Sequence, residues 1–156
     1  MAKERPRYNA ITEQVLKELE DIVGSEQLTT REEEIICYSR DSSLYSCRPE
    51  VIIRPRSTEE VSAILTLANQ KRIPVTPRGA GTSAAGSPLA VAGGILLDMS
   101  GMNKILEIDR VNLRAIIEPG VVHADLESEL AKHGLFWPPD PASGDACTMG
   151  GVLAEC

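Results

Sequence analysis

Apolar residues recur at helical spacing in several parts of the chain. The first part predicts a helix over residues 11–23. A second, shorter helix is expected in "TTREEEIICYSRD", with Thr29 or Thr30 as its cap. In "STEEVSAILTLANQKR" a serine is followed three residues later by a glutamate, the capping-box pattern at the start of a helix. We expect this helix over Thr58–Lys71, with an inward face made of Val61, Ile64, Leu65 and Ala68.

A further helix is predicted in "VVHADLESELAKHG", and the chain begins another at Thr148. The expected inward side chains of the former are those of Val122, Leu126 and Leu130. Its two histidines, at positions 123 and 133, fall off this apolar face. We interpret both as surface residues without a catalytic role.

Short β-rich runs separate these helices. "PEVIIRP" and "IPVTP" flank the Thr58–Lys71 helix, and this order predicts a βαβ unit with a parallel strand pair. "GGILLDMS" predicts a third strand, and "KILEIDRVNLRAIIEPG" predicts a hairpin that turns at residues 109–112. The expected fold class is therefore α/β (α+β), with flanking helices and a small mixed sheet that is parallel in its first strands and carries the hairpin.

Composition and charge narrow the function classes. The net charge of −7 argues against a nucleic-acid partner, because nucleic-acid binders normally present a basic face. The first residues, "MAKERPRYNAITEQ", lack the apolar core of a signal peptide, and no later run has the length of a membrane span. We expect a cytoplasmic protein without a transmembrane segment.

Cysteine and histidine spacing does not predict a metal site. The two histidines lie ten residues apart with no paired-ligand spacing around them. The cysteines form no C-x-x-C pair, and free thiols are expected at Cys37, Cys47, Cys147 and Cys156.

The stretch "PRGAGTSAAGSPLA", residues 77–90, is the main candidate for binding chemistry. Such a loop is often only a mobile surface turn. Its position at the carboxyl end of a strand, where open α/β folds bind ligands, favours a binding loop. Backbone N–H groups can form an anion cradle there, beside the side chains of Arg78, Thr82 and Ser83. The spacing matches neither G-x-G-x-x-G nor a Walker loop, so it predicts a phosphate cradle of another kind.

A second segment, "EPGVVHADLESELAKHGLFWPPDPASGDACTMGGVLAE", joins a glycine turn, a helix, a proline pair and a glycine pair. With "PRGAGTSAAG", "RPRSTEEVSAIL" and "MNKILEID", its motifs resemble the FAD-binding domain of the vanillyl-alcohol oxidase, or PCMH-type, superfamily. Within it the resemblance is to the flavin-domain subunit of glycolate oxidase and to the D-lactate dehydrogenases. The resemblance begins near Tyr45 and divides the chain into an N-terminal helical segment, 1–44, and a partial FAD-binding PCMH-type domain, 45–156. We expect this domain to be truncated at its C-terminus.

The resemblance implies roles for individual residues. The residues assigned to the pyrophosphate of FAD form the glycine loop and would contact it mainly through their backbone. They are Pro77, Arg78, Gly79, Ala80, Gly81, Thr82 and Ser83. Those assigned to the flavin side are Pro138, Pro139 and Asp140, and those that would approach the isoalloxazine and ribityl chain are Cys147, Thr148, Gly150 and Gly151. Asp98 and Met99 are expected to be structural. Because residues 77–87 include no His or Cys, we expect non-covalent FAD.

For the whole protein, the resemblance implies a flavin-dependent enzyme that oxidises a small D-2-hydroxy acid of the glycolate or D-lactate class. A hydride would pass to flavin N5, and an electron acceptor would reoxidise the flavin. The family's catalytic histidine belongs to a substrate domain, so no residue of this chain is assigned to catalysis. The resemblance also allows an iron–sulfur partner subunit and peripheral association with the inner membrane through partners. The alternative is a truncated, non-catalytic flavin-domain module or partner subunit, and the chain alone is expected to be inactive.

Overall fold

The computed structural model describes residues 8–155. Helices and strands alternate over residues 13–78, and three further strands and two final helices complete the order. The helices are α1 (Glu13–Val23), α2 (Glu32–Tyr38), α3 (Thr58–Lys71), α4 (His123–Ala131) and α5 (Met149–Glu155). The strands are β1 (Leu28–Thr29), β2 (Val51–Ile53), β3 (Val75–Arg78), β4 (Ile95–Asp98), β5 (Ile105–Asp109) and β6 (Arg114–Ile117). None of the described helices is long and apolar enough to cross a membrane.

Four strands form a mixed sheet in the order β1-β2-β4-β3. β2 and β3 each pair in parallel with β4, and β1 pairs antiparallel with β2. The expectation that the two strands of the βαβ unit pair directly is wrong, because β4 lies between them. Pro77 explains the position of β3 at the sheet edge, since proline has no N–H to offer a second neighbouring strand.

The predicted hairpin is confirmed, but it forms a separate two-stranded sheet of β5 and β6. A 3₁₀ turn at Met99–Gly101 separates β4 from this hairpin. The inner face of the hairpin packs on a second core around α4 and the start of α5, which contains Val121, Leu126, Leu130 and Met149. The expectation that the mixed sheet carries the hairpin is therefore wrong, because a separate core holds it.

Helix α3 has the expected bounds and cap. Ser57 Oγ accepts a hydrogen bond from the N–H of Glu60 at 3.2 Å, and Ile64 is fully buried. Leu65, expected to face inward, is 46% exposed, and Leu67 packs on the core instead. Leu67 lies three residues from Ile64 and so shares its face, whereas an adjacent residue is rotated by about 100°.

The starts of two other helices differ from expectation. Helix α2 begins after Arg31, not after a threonine cap, because Thr29 belongs to β1 and pairs with Ile52. In α4, Val122 is the residue before the first turn and is partly exposed, and the preceding Val121 is buried in its place.

The N-terminal segment shares a core with the sheet. Helix α1, capped by Thr12, buries Val15, Leu19 and Val23 against residues of β2, α3 and β4. The domain division at Tyr45 stays a prediction, and residues 1–7 lie outside the described part. Free thiols are present at Cys37, Cys47 and Cys147, while Cys156 also lies outside the described residues.

Candidate functional site

The glycine loop leaves the carboxyl end of β3 and folds back on its own arginine. Gly81 has a φ of +75°, in the left-handed region that favours glycine. A Cβ atom built on it would lie 2.1 Å from Nη2 of Arg78. The backbone conformation therefore favours glycine at position 81, and any side chain there would displace the Arg78 guanidinium.

The loop also meets the start of α5, about seventy residues later in the chain. A Cβ on Gly79 would lie 1.9 Å from Oγ1 of Thr148, so the two segments are in close contact. The N–H of Gly150 donates to the carbonyl oxygen of Pro119 at 2.8 Å, which fixes the glycine pair against the chain that enters α4. The two motifs singled out in the sequence thus form opposite walls of one site.

A cavity of about 740 Å³ lies between these walls. It is lined by all of the predicted cofactor residues except Pro138. Residues that the sequence did not indicate also line it, among them Met99, Pro119, Ser143 and Glu155. Met99, expected to be structural, contributes to the cavity from the end of β4. Pro119, Ser143 and Glu155 lie within the quoted segment 118–155, but the resemblance gave them no role, because only the fold brings them beside the glycine loop.

Arg78 is the principal cation at this cavity. Its side chain is half-buried, and within residues 8–155 it forms no ion pair with a carboxylate. Burial lowers the pKa of its guanidinium, while the carboxylates of Asp41 and Asp98 act in the opposite direction. A half-buried guanidinium beside open backbone N–H groups is suited to an anionic ligand.

One carboxylate reaches into the glycine loop. The hydroxyl of Ser83 donates to Oε2 of Glu155 at 3.1 Å and accepts from the N–H of Ala85 at 3.2 Å. Glu155 therefore accepts the hydrogen bond of a hydroxyl that the glycine loop was predicted to offer to a phosphate. No local pattern indicates this contact, because it joins residues 72 positions apart.

The interpretation of His123 as a surface residue is wrong. Its side chain is only 6% exposed, and Nε2 lies 3.1 Å from the carbonyl oxygen of Pro139. Because a carbonyl oxygen only accepts, Nε2 carries the proton in this bond. The backbone N–H of His123 donates to the carbonyl oxygen of Cys147 at 3.0 Å, so this residue holds both ends of the loop that lines the cavity. This loop folds back over the first turn of α4 and covers His123, which the helical pattern leaves exposed. His133 lies beyond the end of α4 and is half-buried.

The residues present fit a cofactor with phosphate groups and a flat ring. The cavity volume lies within the roughly 300–1,000 Å³ range of cofactor and ligand pockets. Glycines at positions 79 and 81 keep its wall free of side chains, and Arg78 supplies positive charge. Buried Cys147 and Thr148 form the opposite wall, close to the glycine pair at 150–151.

Comparison with known families agrees with this geometry. Residues 49–156 match the family described as FAD binding domain. The chain belongs to this family. This match confirms the resemblance inferred from the motifs. It also confirms FAD as the cofactor.

The FAD-binding chain is also similar to a glycolate oxidase subunit and to a D-lactate dehydrogenase. It is 39% identical to glycolate oxidase subunit GlcD of Bacillus subtilis (strain 168) over 146 residues, which are 93% of this chain and 31% of that protein. It is 36% identical to D-lactate dehydrogenase of Anaerostipes hadrus, over 95% of this chain and 31% of that protein. The chain thus spans about a third of the length of these relatives.

A solved structure shares the fold. Alkyldihydroxyacetonephosphate synthase superposes with a TM-score of 0.84 at 28% identity, over 96% of this chain and 33% of that one. This agreement confirms the PCMH-type FAD-binding fold for the sheet, the hairpin and the flanking helices.

Proposed function

We propose that this chain is the FAD-binding part of a flavin-dependent oxidoreductase that oxidises a small D-2-hydroxy acid of the glycolate or D-lactate class. The observation that carries the proposal is the close contact of Gly79 with Thr148, which joins the two motifs into one cavity. The similarity to glycolate oxidase subunit GlcD and to D-lactate dehydrogenase supports the substrate class. When bound, the flavin supplies an acceptor for the substrate's hydride at N5.

The glycine loop would bind the pyrophosphate. The backbone N–H groups of residues 78–83 are positioned by a loop whose glycines leave room for close approach, and Pro77 begins this wall in the last part of β3. The guanidinium of Arg78 would add positive charge beneath the loop, where partial burial strengthens its interaction with phosphate.

The opposite wall would hold the flavin side. Cys147 and Thr148 are buried and present a fixed surface. Gly150 packs against Pro119, and Gly151 leaves this wall free of a side chain where a flat ring would approach. Pro139 and Asp140 line the same cavity, and Pro138 precedes them in the loop that His123 anchors. Non-covalent attachment is part of the proposal.

Oxidation of the substrate would need residues beyond this chain. No described residue is assigned to proton transfer, and we propose that the 156-residue chain alone releases FAD during purification and oxidises no 2-hydroxy acid. In the whole protein, the partners would be the hydroxy acid and an electron acceptor, with an iron–sulfur subunit as a candidate for the latter. Peripheral membrane association through such partners and an otherwise cytoplasmic location belong to the same proposal.

One observation favours the alternative of a non-catalytic module. The carboxylate of Glu155 takes up the Ser83 hydroxyl on the pyrophosphate wall, and a negative charge there opposes a bound phosphate. A module with this carboxylate would bind FAD weakly without turning over substrate.

The test is a titration of the purified chain with FAD, followed by flavin fluorescence, with riboflavin as the ligand that lacks phosphates. We expect FAD to bind more tightly than riboflavin, to be lost on gel filtration, and to be released fully from the bound state by acid precipitation. Equal affinities for the two ligands would contradict the pyrophosphate role of the loop. Dye reduction with glycolate or D-lactate, by the isolated chain, would contradict the statement that it is inactive alone.

A further inference from the structure

Tyr38, the last residue of α2, packs against the arginine of the glycine loop. The centroid of its ring lies 5.3 Å from Cζ of Arg78 and 5.6 Å from Cζ of Arg54, so two guanidinium groups face one aromatic ring. Its backbone carbonyl oxygen also lies 3.5 Å from Nη1 of Arg78. Tyr38 does not line the 740 Å³ cavity, so it contacts Arg78 from outside the proposed FAD site.

The Tyr38 ring is itself held in place. Its hydroxyl donates a hydrogen bond of 2.6 Å to Oδ2 of Asp98, a buried carboxylate at the end of β4. The other oxygen of Asp98 accepts from the N–H and the hydroxyl of Ser100, at 3.0 and 2.6 Å. Arg54 lies 3.7 Å from Oδ2 of Asp98 and pairs with Glu34 on α2. Burial and the Asp98 carboxylate raise the pKa of Tyr38, so the hydroxyl stays a donor at neutral pH.

From Tyr38 the contacts continue into the loop. The Arg78 guanidinium is close to both the Tyr38 ring and the backbone of Gly81, where a Cβ would be 2.1 Å from Nη2. A guanidinium held by the ring limits how closely the loop backbone at Gly81 can approach. Tyr38 and the carboxylates of Asp41 and Asp98 offset part of the desolvation of this partly buried charge.

We propose that Tyr38 is a positioning residue for the pyrophosphate loop: it fixes the Arg78 guanidinium against Gly81 and thereby orders the N–H groups of residues 79–83. This inference rests on the proposed FAD-binding function. It places a determinant of FAD affinity on α2, outside the residues 49–156 that match the FAD binding domain family. Tyr38 acts on the phosphate part of the ligand through Arg78, so it does not affect the isoalloxazine directly.

The test compares Tyr38→Leu and Tyr38→Phe in titrations with FAD and with riboflavin. Tyr38→Leu removes the ring, and we expect FAD to bind roughly 5- to 30-fold more weakly while riboflavin affinity changes less than about twofold. Tyr38→Phe keeps the ring and loses only the hydroxyl contact, so a smaller loss of roughly threefold or less is expected. The matched control is Tyr8→Leu, which makes the same change at an exposed position.

Backbone NMR relaxation of the chain without FAD provides a second, independent measurement. In Tyr38→Leu, the order parameters of residues 79–83 should fall, while those of α1 and α3 keep wild-type values. An unchanged ratio of FAD to riboflavin affinity, or wild-type order parameters in the loop, would overturn the role of Tyr38. If the wild-type chain binds no FAD, the proposed function fails, and the order parameters alone decide whether Tyr38 orders the loop. Uniformly lower order parameters across the chain would show a general loosening and would also overturn the inference.

Discussion

A Cβ atom on residue 81 would lie 2.1 Å from Nη2 of Arg78. Because Gly81 also has a φ of +75°, a Gly81→Val variant must both strain its backbone, at a free-energy cost of about 1–3 kcal/mol, and displace the guanidinium. In the parent protein we expect this variant to abolish FAD retention. In the 156-residue chain we expect it to lower FAD affinity by roughly tenfold or more. Titration with FAD, followed by flavin fluorescence, measures the change.

The control for this substitution is Gly101→Val. A Cβ on Gly101 meets no atom within 4 Å, so valine there adds the same volume without a collision. FAD affinity in Gly101→Val should stay close to that of the wild type. Wild-type affinity in Gly81→Val would contradict the role of the loop in binding pyrophosphate.

Gly79 and Thr148 form the contact between the two walls of the cavity. Gly79→Ala places a Cβ 1.9 Å from Oγ1 of Thr148, and relieving that overlap should destabilise the chain by about 1–3 kcal/mol. In the double variant Gly79→Ala/Thr148→Ala the closest atom is removed, so we expect part of the lost stability to return. Urea unfolding of the wild type, both single variants and the double variant measures this coupling. Strictly additive losses would mean that the walls do not touch as described.

Glu155 presents a negative charge to Ser83 in the glycine loop. Glu155→Gln keeps the shape of the side chain and removes the charge that opposes a bound phosphate. We expect FAD affinity to rise by roughly two- to fivefold, since the carboxylate is exposed and screened by solvent. The control is Glu107→Gln, which changes the net charge equally at an exposed position of the hairpin. A similar rise in the control would assign the effect to overall charge.

Asp109 holds the turn of the hairpin. Hydrogen bonds from Asn112, together with Arg114 and the N–H of Val111, lower the pKa of Asp109 to about 2. Because the pKa in the unfolded chain is about 3.9, the stabilisation by the carboxylate is complete above that pH and is lost as the pH falls through about 2. Asp109→Asn should therefore lower the melting temperature by a few degrees at pH 7, and the difference from the wild type should shrink below pH 4. Thermal melts between pH 7 and pH 2 measure it, and a constant difference over this range would contradict the ionic contribution.

Local sequence signals predicted much of the architecture. Features that depend on neighbours within a few residues are all present. They are the helical period of α1, the Ser57 cap of α3, the short strands β2, β3 and β4, and the Asp109 turn. β1 was missed because two residues are too short for a periodic signal. The order of strands was predicted less well, because pairing of β2 with β4 depends on contacts between residues far apart in the chain.

The same distinction applies to the site. The glycine loop and the Cys147–Gly151 segment are visible as motifs, and the fold brings them together. The contacts of Tyr38 with Asp98 and of Ser83 with Glu155 span 60 and 72 positions, and no local pattern marks them. His123 was misplaced because a helical face shows which side meets the core, but not which later loop folds over its first turn.

The position of β4 between β2 and β3 has a consequence for synthesis of the chain. β2 and β3 emerge from the ribosome before the strand that joins them, and neither can complete its parallel ladder until β4 follows. Translation from Ile53 to Asp98 takes roughly two to nine seconds at the usual elongation rate. During that interval the apolar strand Val51–Ile53 lacks its central partner, so its burial is completed only after Asp98 has been added.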